Sequence, residues 1–214
     1  MGLPLALPSH QIPLGLKLAY TVFVAVLVPI YWDKYTPLNF LYFCDVALLL
    51  TVPALWLESS LLASMMAVGI TLPQLIWQVD FISFLLFRTH FPLDFTSYMF
   101  NPEKPLYLRG LSFFHFWLPI LLLWMVWRLG YDRRALLSQI ALTALILLLS
   151  YLFTARIDGL AGNVNKVFGM DEKVPQSSMH RLLWLGILLV VWSGVYLATH
   201  LLFCGVMPRR REIN

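Results

Sequence analysis

Charged residues are scarce in this sequence. Asp, Glu, Lys and Arg make up 12% of its 214 residues, about half the share of an ordinary soluble domain. Hydrophobic residues make up 60% and the mean hydropathy is +0.76, which excludes a water-soluble domain and makes the bilayer the solvent. Cysteine is nearly absent too. Cys44 and Cys204 each lie in or at the end of an apolar run, so neither a disulfide framework nor a thiolate metal centre is indicated. No HxxxH or HExxH spacing occurs, and neither a metal nor a cofactor is expected. The net charge of +4 sits in short clusters beside apolar runs, so membrane lipids, not nucleic acid, are the expected partners.

What is abundant is apolar sequence. A hydrocarbon core needs about 20 mostly apolar residues in helical form, and six runs qualify: 15–32, 38–57, 61–87, 107–129, 134–155 and 181–204. The expected fold is therefore all-α, a polytopic helical bundle with six transmembrane helices forming a single domain over 1–214. Tyr31, Trp32, Trp56, Trp127 and Tyr131 gather at run ends, as an aromatic belt does. The first residues, MGLPLALPSHQIPLG, lack a charged start and carry three prolines, so they read as an interfacial arm and not as a signal peptide.

Pro29, Pro53, Pro73 and Pro119 punctuate the first four runs. Each removes a backbone donor and pushes away the carbonyl four residues earlier, so several spans are expected to kink. The carbonyl freed by Pro119 belongs to His115. The cluster RLGYDRR between runs four and five and the terminal PRRRE fall on one side, which positive-inside makes cytoplasmic together with both termini.

Ionisable residues inside the runs are few: Asp45, Asp80 and His115. Burying a charge at mid-membrane costs about 3 kcal/mol even on permissive scales, so each should face the bundle interior and find a partner. Counting along the runs places all three about 10 to 12 Å below one interface, the outer one. Asn39, Tyr42 and Asp45 stand three apart in run two, and Gln74, Trp77 and Asp80 do the same in run three, which suggests two polar rows. Ser112 precedes His115 by one turn. Asn163 and Asn165, in the segment GNVNKVFG, are placed to close over the pocket. His90 and His180 reach its mouth only if the connections fold inward. The opposing reading is a purely structural network that fixes helix packing.

The run NFLYFCDVALLLTVPALWLES, followed by LIWQVDF, SFFHFWLP and NVNKVFG, resembles a group of bacterial six-span integral proteins described only as membrane-associated. That likeness implies architecture and a bacterial inner membrane. A more distant likeness is to the androgen-induced, FAR-17a-like family, six-span hydrolases of fatty-acid esters that use an intramembrane Thr and His. Asn39 to Asp45 is similar to the family's second-span pattern, and His115 precedes Pro119 as the family's His precedes a proline. The family's nucleophilic Thr falls on Tyr42, so only His115 is carried over.

The leading expectation is a membrane-embedded hydrolase or acyl-transferring enzyme with His115 as general base and Asp45 or Asp80 orienting it. Asn39, Tyr42, Gln74, Trp77, Ser112, Asn163 and Asn165 would contact the substrate. Ser112, Cys44, Tyr42 or water are the candidate nucleophiles. The alternatives are a proton-coupled transporter and a non-catalytic subunit of a larger membrane complex or homo-oligomer. The subunit reading has a thin marker in the small-residue stripe Ala63, Ala67 and Thr71.

Overall fold

A computed structural model describes residues 12–154, 163–169 and 178–208. Most of the N-terminal arm, most of the 156–180 connection and Arg209 to Arg211 lie outside them. The described residues are all-helical: α1 (Leu14–Tyr35), a 3-10 turn (Pro37–Leu41), α2 (Phe43–Trp56), α3 (Ser60–Phe87), α4 (Ser97–Phe100), α5 (Leu106–Ser112), α6 (Phe114–Leu129), α7 (Ala135–Thr154), a second 3-10 turn (Val164–Lys166) and α8 (Ser178–Val206). Among the described residues, five segments are long and apolar enough to cross a membrane: α1, α3, α5 with α6, α7, and Leu182–Val206 of α8. α2 is apolar but shorter, at 14 residues. Large apolar side chains such as Val22, Leu86, Ile120, Leu137 and Val190 are exposed, as they are in an integral membrane protein whose outer surface meets lipid.

α3 is the central helix. Its 28 residues rise about 42 Å, and it packs against α2, α6, α7 and α8. Small residues allow that density: Ala63, Ala67 and Ser64 are fully buried and Thr71 nearly so, letting neighbouring backbones approach closely. The stripe Ala63, Ala67, Thr71 therefore faces the inside of the bundle and offers no outward surface for a partner helix. Ser59 starts α3 by accepting the N–H of Leu62 at 3.3 Å, a side-chain N-cap. Gly69 leaves room for the Gln139 side chain of α7, because a Cβ there would lie 2.6 Å from Gln139 Nε2.

The second apolar run is not one helix. Pro37 opens a 3-10 turn, Tyr42 is extended at φ −61°, ψ 138°, and α2 begins only at Phe43. The expected row of Asn39, Tyr42 and Asp45 on one helix face is thus corrected. Asn39 belongs to the turn, Tyr42 to the break, and Asp45 to the first turn of α2, where the helix dipole favours a carboxylate. Run four is also interrupted. Phe113 separates α5 from α6, and its N–H bonds to Gly110 O at 3.2 Å in a tightened turn.

Glu58, at φ 47° in the α2–α3 connection, is no free surface carboxylate. It accepts Lys17 Nζ at 2.8 Å and the Ile12 N–H at 3.2 Å. Lys17 is buried by this pairing, which fastens the start of α1 to the α2–α3 turn.

Candidate functional site

The breaks at Tyr42 and Phe113 open onto the same place. A cavity of about 730 Å³ lies between them, lined by Asn39, Tyr42, Asp45, Gln74, Trp77, Ser112, His115 and Asn165 among others. Eight residues expected from the sequence to form one pocket therefore do share one. Asp80 and Asn163 are not among its lining residues.

His115 stands in the first turn of α6. Its Nδ1 is 3.0 Å from Gln74 Nε2, and its ring lies over Trp77 at 5.2 Å between centroids and beside Phe114 at 4.1 Å. An amide and an imidazole can meet in either sense, since a flip of Gln74 exchanges its nitrogen and oxygen. With the oxygen against Nδ1–H, the lone pair sits on Nε2, and the ring is a base. The carbonyl that Pro119 frees also has a local answer. Gln78 Nε2 donates to Phe116 O at 3.0 Å and reaches His115 O at 3.5 Å.

Asp45 is buried, and its Oδ2 accepts Asn39 Nδ2 at 3.3 Å and the Cys44 thiol at 3.6 Å. Its Oδ1 has no hydrogen-bond partner among the described residues. A Cys44 thiolate would stand beside this carboxylate, an arrangement that like charge opposes. Ser112 is buried and shares a 2.8 Å hydrogen bond with Tyr31 OH. Asn165 comes from the distant 163–169 segment, and its Nδ2 donates to Leu41 O at 2.8 Å and Ser150 Oγ at 3.0 Å. It thereby serves a carbonyl exposed by the break before α2. Its left-handed backbone, φ 53° and ψ 18°, is one that asparagine adopts with little penalty.

Asp80 departs from the expected cluster. Six residues of helix rotate it by about 120° away from Gln74, and it is fully buried elsewhere, against the loop after α3. Its Oδ2 accepts the Thr96 hydroxyl at 2.6 Å, the Thr96 N–H at 2.9 Å and the Phe95 N–H at 3.2 Å, with His90 Nδ1 at 3.1 Å. Its contact with the cavity is indirect, through Phe95, which is a lining residue. Asn163 shapes its own segment instead: Oδ1 accepts the Phe168 N–H at 3.0 Å and Nδ2 donates to Gly169 O at 2.8 Å.

Several lining residues escaped sequence reasoning. Tyr98 and Lys104 come from the connection between α3 and α5, and Lys104 Nζ sits 5.3 Å and 4.9 Å from the ring centroids of Tyr35 and Tyr98. Burial pushes the Lys104 ammonium below the usual lysine range and the Tyr98 phenol above its own. Gln78 was findable, because it follows Gln74 by one helical turn.

The fold and cavity define a class: a helical, membrane-type chain in which, among the described residues, interrupted helices border a largely apolar cavity carrying a few polar side chains. No family model matches this chain, and neither a curated protein nor a solved structure does.

Proposed function

We propose that this chain is a membrane-embedded enzyme acting on a lipid or another apolar ester, by hydrolysis or acyl transfer, with His115 as general base. One observation carries the reading: a single cavity brings together an imidazole, a hydroxyl at Ser112 and an Asp45 carboxylate whose Oδ1 has no partner among the described residues. With Gln74 turned so that its oxygen accepts Nδ1–H, Nε2 is left to take a proton, the role an orienting group plays in hydrolytic sites. Ser112, which lines the same cavity as His115 across the Phe113 break, is the better nucleophile candidate, because Cys44 already faces the Asp45 carboxylate. In this mechanism the Ser112 oxygen, or a water, bonds to the ester carbonyl carbon as its proton passes to Nε2. The carbon–oxygen bond to the alcohol then breaks, and the imidazolium returns the proton to the leaving alcohol.

The arrangement in the bilayer belongs to the same proposal. α2 counts as the sixth span, its 14 residues extended by the 3-10 turn, with prolines bending several helices. The cluster of Arg128, Arg133 and Arg134 marks the cytoplasmic end. The cavity then opens toward the non-cytoplasmic side of a bacterial inner membrane, and its substrate enters laterally from the lipid.

The test uses detergent-purified protein and a fluorogenic acyl ester. His115→Ala should lower turnover by about 10² to 10⁴-fold, the range of a lost general base. Undiminished turnover removes His115 as base, and no turnover by the unaltered protein across acyl chain lengths removes the enzyme reading.

A further inference from the structure

A second constellation lies outside the cavity, at the loop end of α3. We propose that Asp80, His90 and Asp94 bind a divalent transition metal, with zinc as the best match. Each of the three residues offers one ligand atom, and these atoms lie within 4.8 Å of one another. His90 Nδ1 is 3.1 Å from Asp80 Oδ2 and 3.6 Å from Asp94 Oδ1. Zinc holds nitrogen and oxygen ligands at about 2.0 to 2.2 Å, so two tetrahedral ligands are separated by roughly 3.3 Å. The two His90 separations bracket that edge, and the separation between the two aspartates is no more than 4.8 Å, so an ion would draw the exposed Asp94 inward.

The charge arrangement points the same way. Asp80 is fully buried, and its Oδ1 has no hydrogen-bond partner among the described residues. No lysine or arginine pairs with it there; its ion-pair partner is His90. A buried carboxylate with one empty oxygen calls for a cation or a further donor. The imidazole selects zinc over calcium or magnesium, which prefer oxygen ligands.

The surroundings resemble the outer shell of a metal site. The Thr96 hydroxyl and two backbone N–H groups fix the Asp80 carboxylate, the kind of orientation that sharpens ligation. The Thr96 hydroxyl also lies 3.4 Å from His90 Nδ1, and the imidazole stacks on Phe84 at 4.4 Å. Asp94 is 62% exposed, which gives the ion a route from solvent and leaves its remaining positions to water. The ion would tie residues 88–96 to the end of α3. Phe95, bonded through its N–H to Asp80, lines the cavity, so occupancy would stiffen one wall of it. This inference does not depend on the enzyme reading.

The experiment uses the full chain in detergent after chelator treatment, titrated with zinc alone by calorimetry and with cobalt by visible absorption. One equivalent should bind, with tetrahedral cobalt bands, and zinc should raise the unfolding temperature. His90→Gln and Asp94→Asn should each weaken binding by about tenfold or more and abolish the thermal shift. Asp94 is exposed, so its variant should fold, and circular dichroism checks both. His200→Ala, which breaks the separate His200–Cys204 contact, should bind zinc normally. Absence of saturable binding up to about 1 mM, or equal binding by the unaltered protein and both loop variants, overturns the proposal and leaves a His90–aspartate ion pair.

Discussion

Replacing Gln78 with leucine tests how this bundle handles a proline inside a membrane helix. Pro119 has no N–H to close a bond on His115 O, and the side chain that reaches this carbonyl is Gln78, at 3.5 Å, while donating to Phe116 O at 3.0 Å. Gln78→Leu keeps the bulk and removes both contacts. The lost bond to Phe116 O is worth about 1 kcal/mol, and leaving the His115 carbonyl without a donor costs about 1 to 3 kcal/mol. The expected destabilisation is thus about 2 to 4 kcal/mol.

Pro119→Ala supplies the backbone donor that proline lacks. In that background His115 O is served by the restored amide, and Gln78→Leu should cost only about 1 kcal/mol. The two changes should therefore couple by about 1 to 3 kcal/mol, within the range for residues sharing a partner. The four proteins can be compared by reversible unfolding in mixed micelles, followed by tryptophan fluorescence and far-ultraviolet circular dichroism. If Gln78→Leu costs the same with and without Pro119, the amide is not compensating for the proline and the reasoning fails.

Two further outcomes follow from charges near the ends of the helices. Lys17→Met leaves the partly buried Glu58 carboxylate without its 2.8 Å partner and should destabilise by about 2 to 4 kcal/mol. The pair Lys17→Met with Glu58→Gln should cost clearly less, since a buried ion pair is weak as a unit but expensive to halve; equal costs in the same unfolding assay refute this. At the cavity mouth, burial holds the Lys104 ammonium below its ordinary range, so the folded state binds fewer protons there than the unfolded state. Its share of stability should rise with pH between the folded and unfolded values. Lys104 should also be acylated by a succinimidyl ester at lower pH than a free lysine, as peptide mapping would report, and identical profiles would contradict that.

The apolar runs were legible because length and composition are enough to mark them: α1, α3, α5 with α6, α7 and α8 lie where those runs do. The break in run two was not legible. NFLYFCDVALLL is continuously apolar around Asp45, and only Pro37 and Asn39 hint that its first part turns before the helix starts. Depth counting assumed an unbroken helix, yet Asp45 still reached the cavity because the turn and the first helical residues both face it. Asp80 failed for a different reason. Residues three apart drift by about 60° per step on an α-helix, so a row of three spreads over about 120°, and Asp80 met a loop instead of the cavity. Tyr98, Lys104 and Phe95 depended on how that loop folds back onto Asp80, a non-local event that spacing along the chain does not record.

The same geometry bears on whether the polar residues are structural or functional. Interrupting a helix in an apolar surrounding frees backbone groups that must be paired, and here side chains supply partners: Asn165 for Leu41 O, and Gln78 for the carbonyls before Pro119. Those residues have a structural task. Asp45 and His115 differ. Asn39 and Cys44 occupy only one Asp45 oxygen, and Gln74 meets only Nδ1 of His115, while Asp45 Oδ1 is buried without a partner among the described residues. A buried acceptor without a donor costs about 1 to 3 kcal/mol, which a ligand's donor would offset. Within a cavity that also holds the Ser112 hydroxyl, Asp45 Oδ1 is the atom whose hydrogen bonding a bound polar ligand would complete under the proposed reading.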